Sequence, residues 1–378
     1  MAKKRADGRM QKAFTVNGKK YVVYGHSTKE LFEKELAKRE EIEKGLEKRN
    51  NPTVSEYYER WTEARRGTVS DATLRAQGKM FHAFKAVKIP SANRTFGELK
   101  LKEVSIDDLR VLQTELKKGE VRKDGTRKER KTQTVNDYLA HIKHFMNDAL
   151  KERVIDYNPC VLLKPLKRTE EKARNTGHRA LSLEEQKKFF ECERCKKSYY
   201  YNVFRFAIST GMRIGEIGAL KNSDIRGGMI HIERTITRTE TGSHIMGENA
   251  KTEAGRRTIP MNEQIKAILA DQKAINSMLD GNVVSMDDRI FKAPERGLLL
   301  AMPTDREIIR ICKAAGIEPF SMHAFRATFA TRAIENGMNM KTLQEIMGHS
   351  NFNITMSLYG HCLTDTKQAA MDTMVLAL

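Results

Sequence analysis

Residues 164–180, KPLKRTEEKARNTGHRA, hold Leu166, Ala173 and Ala180 as their only apolar side chains. Such a run buries too little surface to offset the entropy of ordering it. It divides the 378 residues into parts that each need a core. A second break is Asn51-Pro52, where proline denies the preceding residue the helical region. The chain therefore reads as four spans: 1–50, 51–165, a linker at 166–180, and 181–378.

The spans differ in pattern. In AFTVNGKKYVVYG (13–25) two β-type runs flank Asn17-Gly18, a strong hairpin signal, and a charged helix is expected from about Ser27 to Lys48. The second span reads as all helical. SEYYERWTEAR and VSDATLRAQGKMFHAFKAV keep helical period, SIDDLRVLQTELKKG (105–119) begins at a capping Ser and ends near Gly119, and TVNDYLAHIKHFMNDALKERVI (134–155) is long and amphipathic. GEVRKDGTRKERK (119–131) is a basic loop between two of these helices. From ALSLEEQKKFFE onward the third part is mainly α, with a β-rich insertion at about 228–260. The expected fold class is multidomain: a small α/β module with a three-stranded sheet and a helix, an all-α domain, and a mainly α domain with a β-rich insertion.

The formal charge of +19 and isoelectric point near 9.6 point to a polyanionic partner. Lysine and arginine gain affinity for a phosphate backbone by releasing its counterions. The first twenty residues alone carry seven Lys or Arg and one Asp, which makes the N-terminal module a nucleic-acid-binding candidate. Anionic membrane is the weaker partner, because no basic amphipathic anchor with aromatic residues is present. No run of eighteen apolar residues predicts a membrane span, and MAKKRADGRM is basic without the apolar stretch of a secretory signal. Mean hydropathy is −0.58, and five scattered cysteines fit a reducing cytoplasm. CERC (192–195) has ligand spacing but lacks a second Cys or His pair, so two idle or partly buried thiols are expected rather than zinc.

Four stretches of the last part carry the chemistry. In STGMRIGEIGAL (209–220) a helix ends at Thr210-Gly211 and another opens with Arg213; Glu216, three residues on, shares its face. The plain reading is a surface ion pair; the functional one is an arginine held by Glu216 and aimed at a phosphate. In AKTEAGRRTIP (250–260) Lys251 sits in a turn before a strand, and alone it would be a solvated lysine. In MHAFRATFATRAIENG (322–337) His323 and Arg326 are three apart, with Phe325, Phe329 and Ile334 toward the core. MGHSNFNITMSLYGH (347–361) places His349 after a helix that stops at Gly348, and Tyr359 ten residues later in a polar run.

Each signal is weak alone, but their order and spacing resemble the tyrosine recombinase (phage integrase) family, including the integrases of conjugative transposons. TGMRIGEIGAL is similar to the family's first Arg box, KTEAGRRTIP to its β-hairpin lysine box, HAFRATFAT to its His-x-x-Arg box, and MGHSNFNITMSLYGH to its Leu-Gly-His…Tyr box. The resemblance covers about residues 178–365 and extends more weakly to 53–165 and to the N-terminal module. Ala327 stands where many members carry a second His, and Met347 where Leu is more common. His361 matches no box.

The chemistry suits these groups. Attack on a phosphodiester puts extra charge on the non-bridging oxygens, and fixed cationic donors lower the energy of that state. Arg213 and Arg326 can each bind two phosphate oxygens; His323 and His349 can add hydrogen bonds, with His323 also able to act as general acid/base. Tyr359 is the candidate nucleophile. The resemblance implies that Lys251 protonates the leaving 5′ oxygen, that a 3′-phosphotyrosyl link forms, and that no metal or other cofactor is needed. It further implies double-stranded DNA, at core and arm sites, as partner and a homotetramer on two duplexes. Excisionase and DNA-bending proteins are candidate accessory partners, and a bacterial, nucleoid-associated cytoplasmic location is expected. Residues 1–50 would bind arm DNA, 51–165 core DNA, and 181–378 would hold the catalytic domain, with AAMDTMVLAL at the C-terminus docking on a neighbouring protomer. Two other readings stand beside this one: a type IB topoisomerase-like enzyme with the same tyrosine chemistry, and a DNA-binding protein without activity.

Overall fold

The structure, a computed structural model, describes residues 3–4, 10–16, 18–119, 127–167, 179–248, 255–280, 288–295 and 297–348. Most of the proposed linker, Lys251, His349, Tyr359 and His361 lie outside them. The chain divides into two compact units, Met1–Glu171 and Lys172–Leu378.

The first unit opens with an antiparallel sheet in the order β1 (Lys3–Lys4), β2 (Met10–Val16), β3 (Lys19–Gly25). Gly18, at φ +76°, takes the left-handed position of the hairpin turn that a side chain would disfavour. The register Phe14↔Tyr21 and Ala13↔Val22 follows from that turn. Period two then sends Phe14 and Val23 inward against Leu31 of α1 (Thr28–Asn50), while Val22 and Tyr24 point out. Glu35 of α1 lies between Lys12 (2.6 Å) and Arg39 (2.9 Å), and the Arg39 guanidinium sits 4.7 Å from the Phe14 ring.

A separate core follows, built by α2 (Val54–Ala64), α3 (Asp71–Lys85), the short strands β4 (Lys88–Ile89) and β5 (Arg94–Thr95), α4 (Ile106–Lys118) and α5 (Thr132–Lys151). The helices start where their capping side chains sit. The hydroxyls of Thr53, Ser70 and Ser105 accept from the amides of Glu56, Thr73 and Asp108. Glu56 and Asp108 return the bond to the cap amide, completing capping boxes. Aromatic rings fill the centre: Tyr58 stacks on Phe81 at 3.8 Å, Phe145 meets Tyr58 edge-on, and the Trp61 indole donates to Asp148. The Tyr58 hydroxyl bonds His141 Nε2 at 3.0 Å, and burial holds that imidazole down at about 4.

The second unit begins with α6 (Leu183–Glu191), capped by Ser182, then α7 (Glu193–Lys196), α8 (Tyr201–Thr210) and α9 (Ile214–Ala219). The expected β-rich insertion is two sheets. One has the order β10 (Arg257–Pro260), β7 (Met229–Ile232), β6 (Ile225–Arg226); the other is the hairpin of β8 (Arg234–Arg238) and β9 (His244–Glu248). Strand β8 lies close on α9 because Gly215 and Gly218 have no side chain. A Cβ on Gly215 would meet Thr235 Oγ1 at 2.8 Å, and one on Gly218 would meet Ile236 Cδ1 at 2.7 Å. The unit closes with α10 (Glu263–Asp280), α11 (Ala301–Ala315), α12 (Met322–Glu335) and α13 (Met340–Met347).

Helix α12 runs through the interior. Phe325 and Ile334 are buried as expected, but so are Met322, Ala324, Arg326, Ala327 and Thr328, so its burial is not confined to one stripe. Cys195 and Cys312 are buried and Cys192 is half-buried; burial pushes the Cys195 thiol up to about 12. Among the described residues no group of three or more His, Cys, Asp or Glu could hold a metal ion, and no helix is long and apolar enough to cross a membrane.

Candidate active site

Arginine 213 owes its place to two local signals. Helix α8 stops at Gly211, whose φ of +64° caps it in the left-handed conformation, and a Cβ there would lie 2.5 Å from the Phe329 ring. Two residues later Arg213 is the N-cap of α9, with its own amide donating to Glu216 Oε2 at 3.0 Å. Its guanidinium donates to Glu216 Oε1 at 2.9 Å while the side chain stays 43% exposed. The pair is thus no ordinary surface ion pair: the carboxylate is buried and the guanidinium faces outward.

Glu216 has a second partner. Arg257 on β10 reaches it with both terminal nitrogens, at 3.1 and 2.8 Å, and is itself 6% exposed. Burial pushes the Glu216 carboxyl up. The hydrogen bonds and charge of Arg257, with the amide and charge of Arg213, outweigh burial and hold it down at about 2. The carboxylate is ionised at any physiological pH.

Arg326 on α12 completes the cluster. It is buried, with Nη1 donating to Gly211 O at 2.7 Å and Nη2 to Met347 O. Burial and then the Arg213 charge lower its pKa to about 9, so it is charged at neutral pH. The end of α13 meets all three arginines. Its successive carbonyls at Ile346, Met347 and Gly348 accept from Arg257 Nε (2.6 Å), Arg326 Nη2 and Arg213 Nη2 (3.3 Å). These carbonyls lack helix-internal donors and carry the negative end of the helix dipole, which suits cationic partners. Three cations against one carboxylate leave a concentrated positive site, and the longest contact, Arg213 to Gly348, belongs to the exposed arginine.

The structure therefore brings Arg213, Glu216 and Arg326 together around the end of α13. It places His323 on the exposed side of α12's first turn. Lys251, six residues before Arg257, lies outside the described residues, as do His349, directly after Gly348, and Tyr359. Arg257 was missed in the sequence. Its signal was a basic residue two positions before Ile259, on the inward face of a period-two strand.

This arrangement defines a cationic site without a metal-ligand cluster among the described residues, on a fold already known from integrases. The Tn1549 transposon integrase, solved with circular intermediate DNA, matches with a TM-score of 0.67 and 22% identity over 85% of this chain and 98% of that one. A λ integrase dimer bound to a COC′ core site matches with a TM-score of 0.59 and 16% identity over 94% and 93%. A model of the Phage integrase family matches residues 180–365, and this part of the chain is a member of that family, the tyrosine recombinases. Relatives by sequence include the transposase from transposon Tn916 of Enterococcus faecalis, 27% identical over 63% of this chain, and the ICEBs1 integrase of Bacillus subtilis, 26% identical over 63%. The matched region spans 61% and 64% of those two proteins' lengths.

Proposed function

We propose that the chain is the site-specific recombinase of a mobile element. It cleaves and rejoins double-stranded DNA through a 3′-phosphotyrosyl intermediate, for integration and excision. The observation that carries this is the Arg213–Glu216–Arg326 cluster at the end of α13, within the segment that matches the family. Arg213 stands ready to take a phosphate oxygen in exchange for the 3.3 Å contact to Gly348. Arg326 joins it by exchanging one backbone carbonyl for a second oxygen, since a planar fork accepts either acceptor. Glu216 is the supporting residue that keeps Arg213 in place.

Tyr359 attacks the phosphorus, His323 and His349 donate to the non-bridging oxygens, and Lys251 gives its proton to the departing 5′ oxygen. One phosphate ester is exchanged for another, so the bond energy is kept and the reverse attack by a 5′-hydroxyl rejoins the strand. The group that the tyrosine must lose is a proton of pKa about 10, which a cluster of fixed cations makes easier to lose.

In this reading residues 1–50 bind arm DNA through the lysine-rich sheet, 51–165 bind core DNA, 166–180 link, and 181–378 carry out strand transfer. Four protomers act on two duplexes in the bacterial cytoplasm, with excisionase and DNA-bending proteins as accessory partners. The test mixes the protein with plasmid bearing the joined ends of its element, in EDTA, and quenches with SDS. A covalent protein–DNA adduct that disappears in Tyr359→Phe supports the proposal; an adduct that survives that substitution refutes it.

A further inference from the structure

We infer that Arg257 is a positioning residue of the strand-transfer site: it holds Glu216 and the end of α13 so that Arg213 meets the phosphate in one orientation. The inference rests on the reading of this site as a phosphoryl-transfer centre. Arg257 is too buried to meet DNA itself, at 6% exposure. Its fork is committed inward, two nitrogens to the two Glu216 oxygens and Nε to Ile346 O. One side chain thereby links three segments: β10, which follows Lys251; the start of α9, which carries Arg213; and the last turn of α13, which leads to His349. Strand β10 is anchored at this point, with Arg257 opposite Ile232 in the antiparallel register.

The charged groups around Glu216 assign the role. Arg213 faces it from the start of α9, Arg257 from β10, and Arg326 acts on it from α12. Arg213 is 43% exposed and Arg326 spends its terminal nitrogens on carbonyls. Arg257 is the partner that is itself buried and bidentate, the geometry in which a charge pair is strongest. Without it, burial acts on a carboxyl that retains one exposed partner, and the proton is bound more readily. A protonated Glu216 no longer holds Arg213 by charge. Loss of Arg257 should therefore give strand cleavage a new acid-side dependence, which a loss of stability alone would not.

The experiment measures SDS-stable adducts on plasmid carrying the element's joined ends, across about pH 5 to about pH 8, for the full chain and for Arg257→Met and Arg257→Lys. The readout is the ratio of variant to wild type, which removes titration of groups common to both. For Arg257→Met the ratio should fall on acidification, approaching roughly tenfold per pH unit below the new Glu216 midpoint. Arg257→Lys, which keeps the charge and loses the fork, should give a reduced but pH-independent ratio. A ratio for Arg257→Met that stays constant with pH, high or low, overturns the inference. If thermal melting shows that Arg257→Met does not fold, Arg257→Gln removes the same charge while keeping hydrogen bonds, and the same two outcomes apply. A wild-type protein that forms no adduct overturns the parent reading instead, and this inference with it.

Discussion

Replacing Glu216 by Gln is the sharpest perturbation of the cluster. The side chain keeps its shape but loses the charge that Arg257, Arg213 and Arg326 share. Arg257 would then be a buried guanidinium without a counter-charge, a change that costs about 3–5 kcal/mol. For a unit of this size that corresponds to a melting-point drop of roughly 6–20 °C, at about 2–4 °C per kcal/mol. The acid dependence gives an independent check. The Glu216 carboxyl is held at about 2 against an ordinary 4.5, a depressed pKa, so its contribution is present above 4.5 and is lost as pH falls toward 2. The full contribution is about 3 kcal/mol, of which about 2 kcal/mol is gone by about pH 3. Urea unfolding of wild type and Glu216→Gln, followed by circular dichroism between about pH 6 and about pH 3, should show a stability gap that narrows on acidification. A variant as stable as wild type at pH 6, or a gap that does not change with pH, would refute the electrostatic account.

Three further substitutions test other parts. Gly211→Ala forces a side chain into a positive φ and into the Phe329 ring; it should cost about 2–4 kcal/mol by urea midpoint, and an unchanged midpoint would count against the αL cap. Gly215→Ala should push β8 off α9, reducing adduct yield on DNA more than it lowers the melting point; equal or no effect on both would separate the hairpin from the Arg213 site. His141, buried with a pKa near 4 against the ordinary 6.5, destabilises its unit on acidification, because the unfolded chain takes up the proton first. Stability of that unit should therefore fall by about 3 kcal/mol between about pH 6.5 and about pH 4. The chain's one tryptophan, Trp61, sits beside His141, so its fluorescence reads this transition, and His141→Gln should flatten it.

Much of this architecture is legible in the sequence because it is fixed locally. The hairpin at Gly18, the cap at Ser105 and the stop of α13 at Gly348 depend on residues within a turn of one another. The Arg213–Glu216 pair was visible for the same reason, a spacing of three. Arg257 was not, because its partner lies 41 residues earlier in the chain, on a different element. The close contact between β8 and two glycines of α9 was not legible either, since no period in the strands announces it. The burial of α12 on several sides was hidden by its small residues: Ala324, Ala327 and Thr328 form no apolar stripe, yet all three are enclosed. The arginine clasp on the α13 carbonyls leaves no mark in the sequence, since the acceptors are backbone atoms.

The central claim is that one tyrosine takes the 3′ phosphate while an arginine cluster bears the charge. A nicked duplex from the element's joined ends, labelled at the scissile phosphate, would trap the intermediate by releasing the short 5′-hydroxyl strand. Proteolysis and mass spectrometry of the trapped adduct would then locate the label. The account predicts the label on Tyr359, a free 5′-hydroxyl on the released strand, and no trapped product from Arg213→Ala. A label on another residue, a 5′-linked adduct, or full trapping by Arg213→Ala would contradict it.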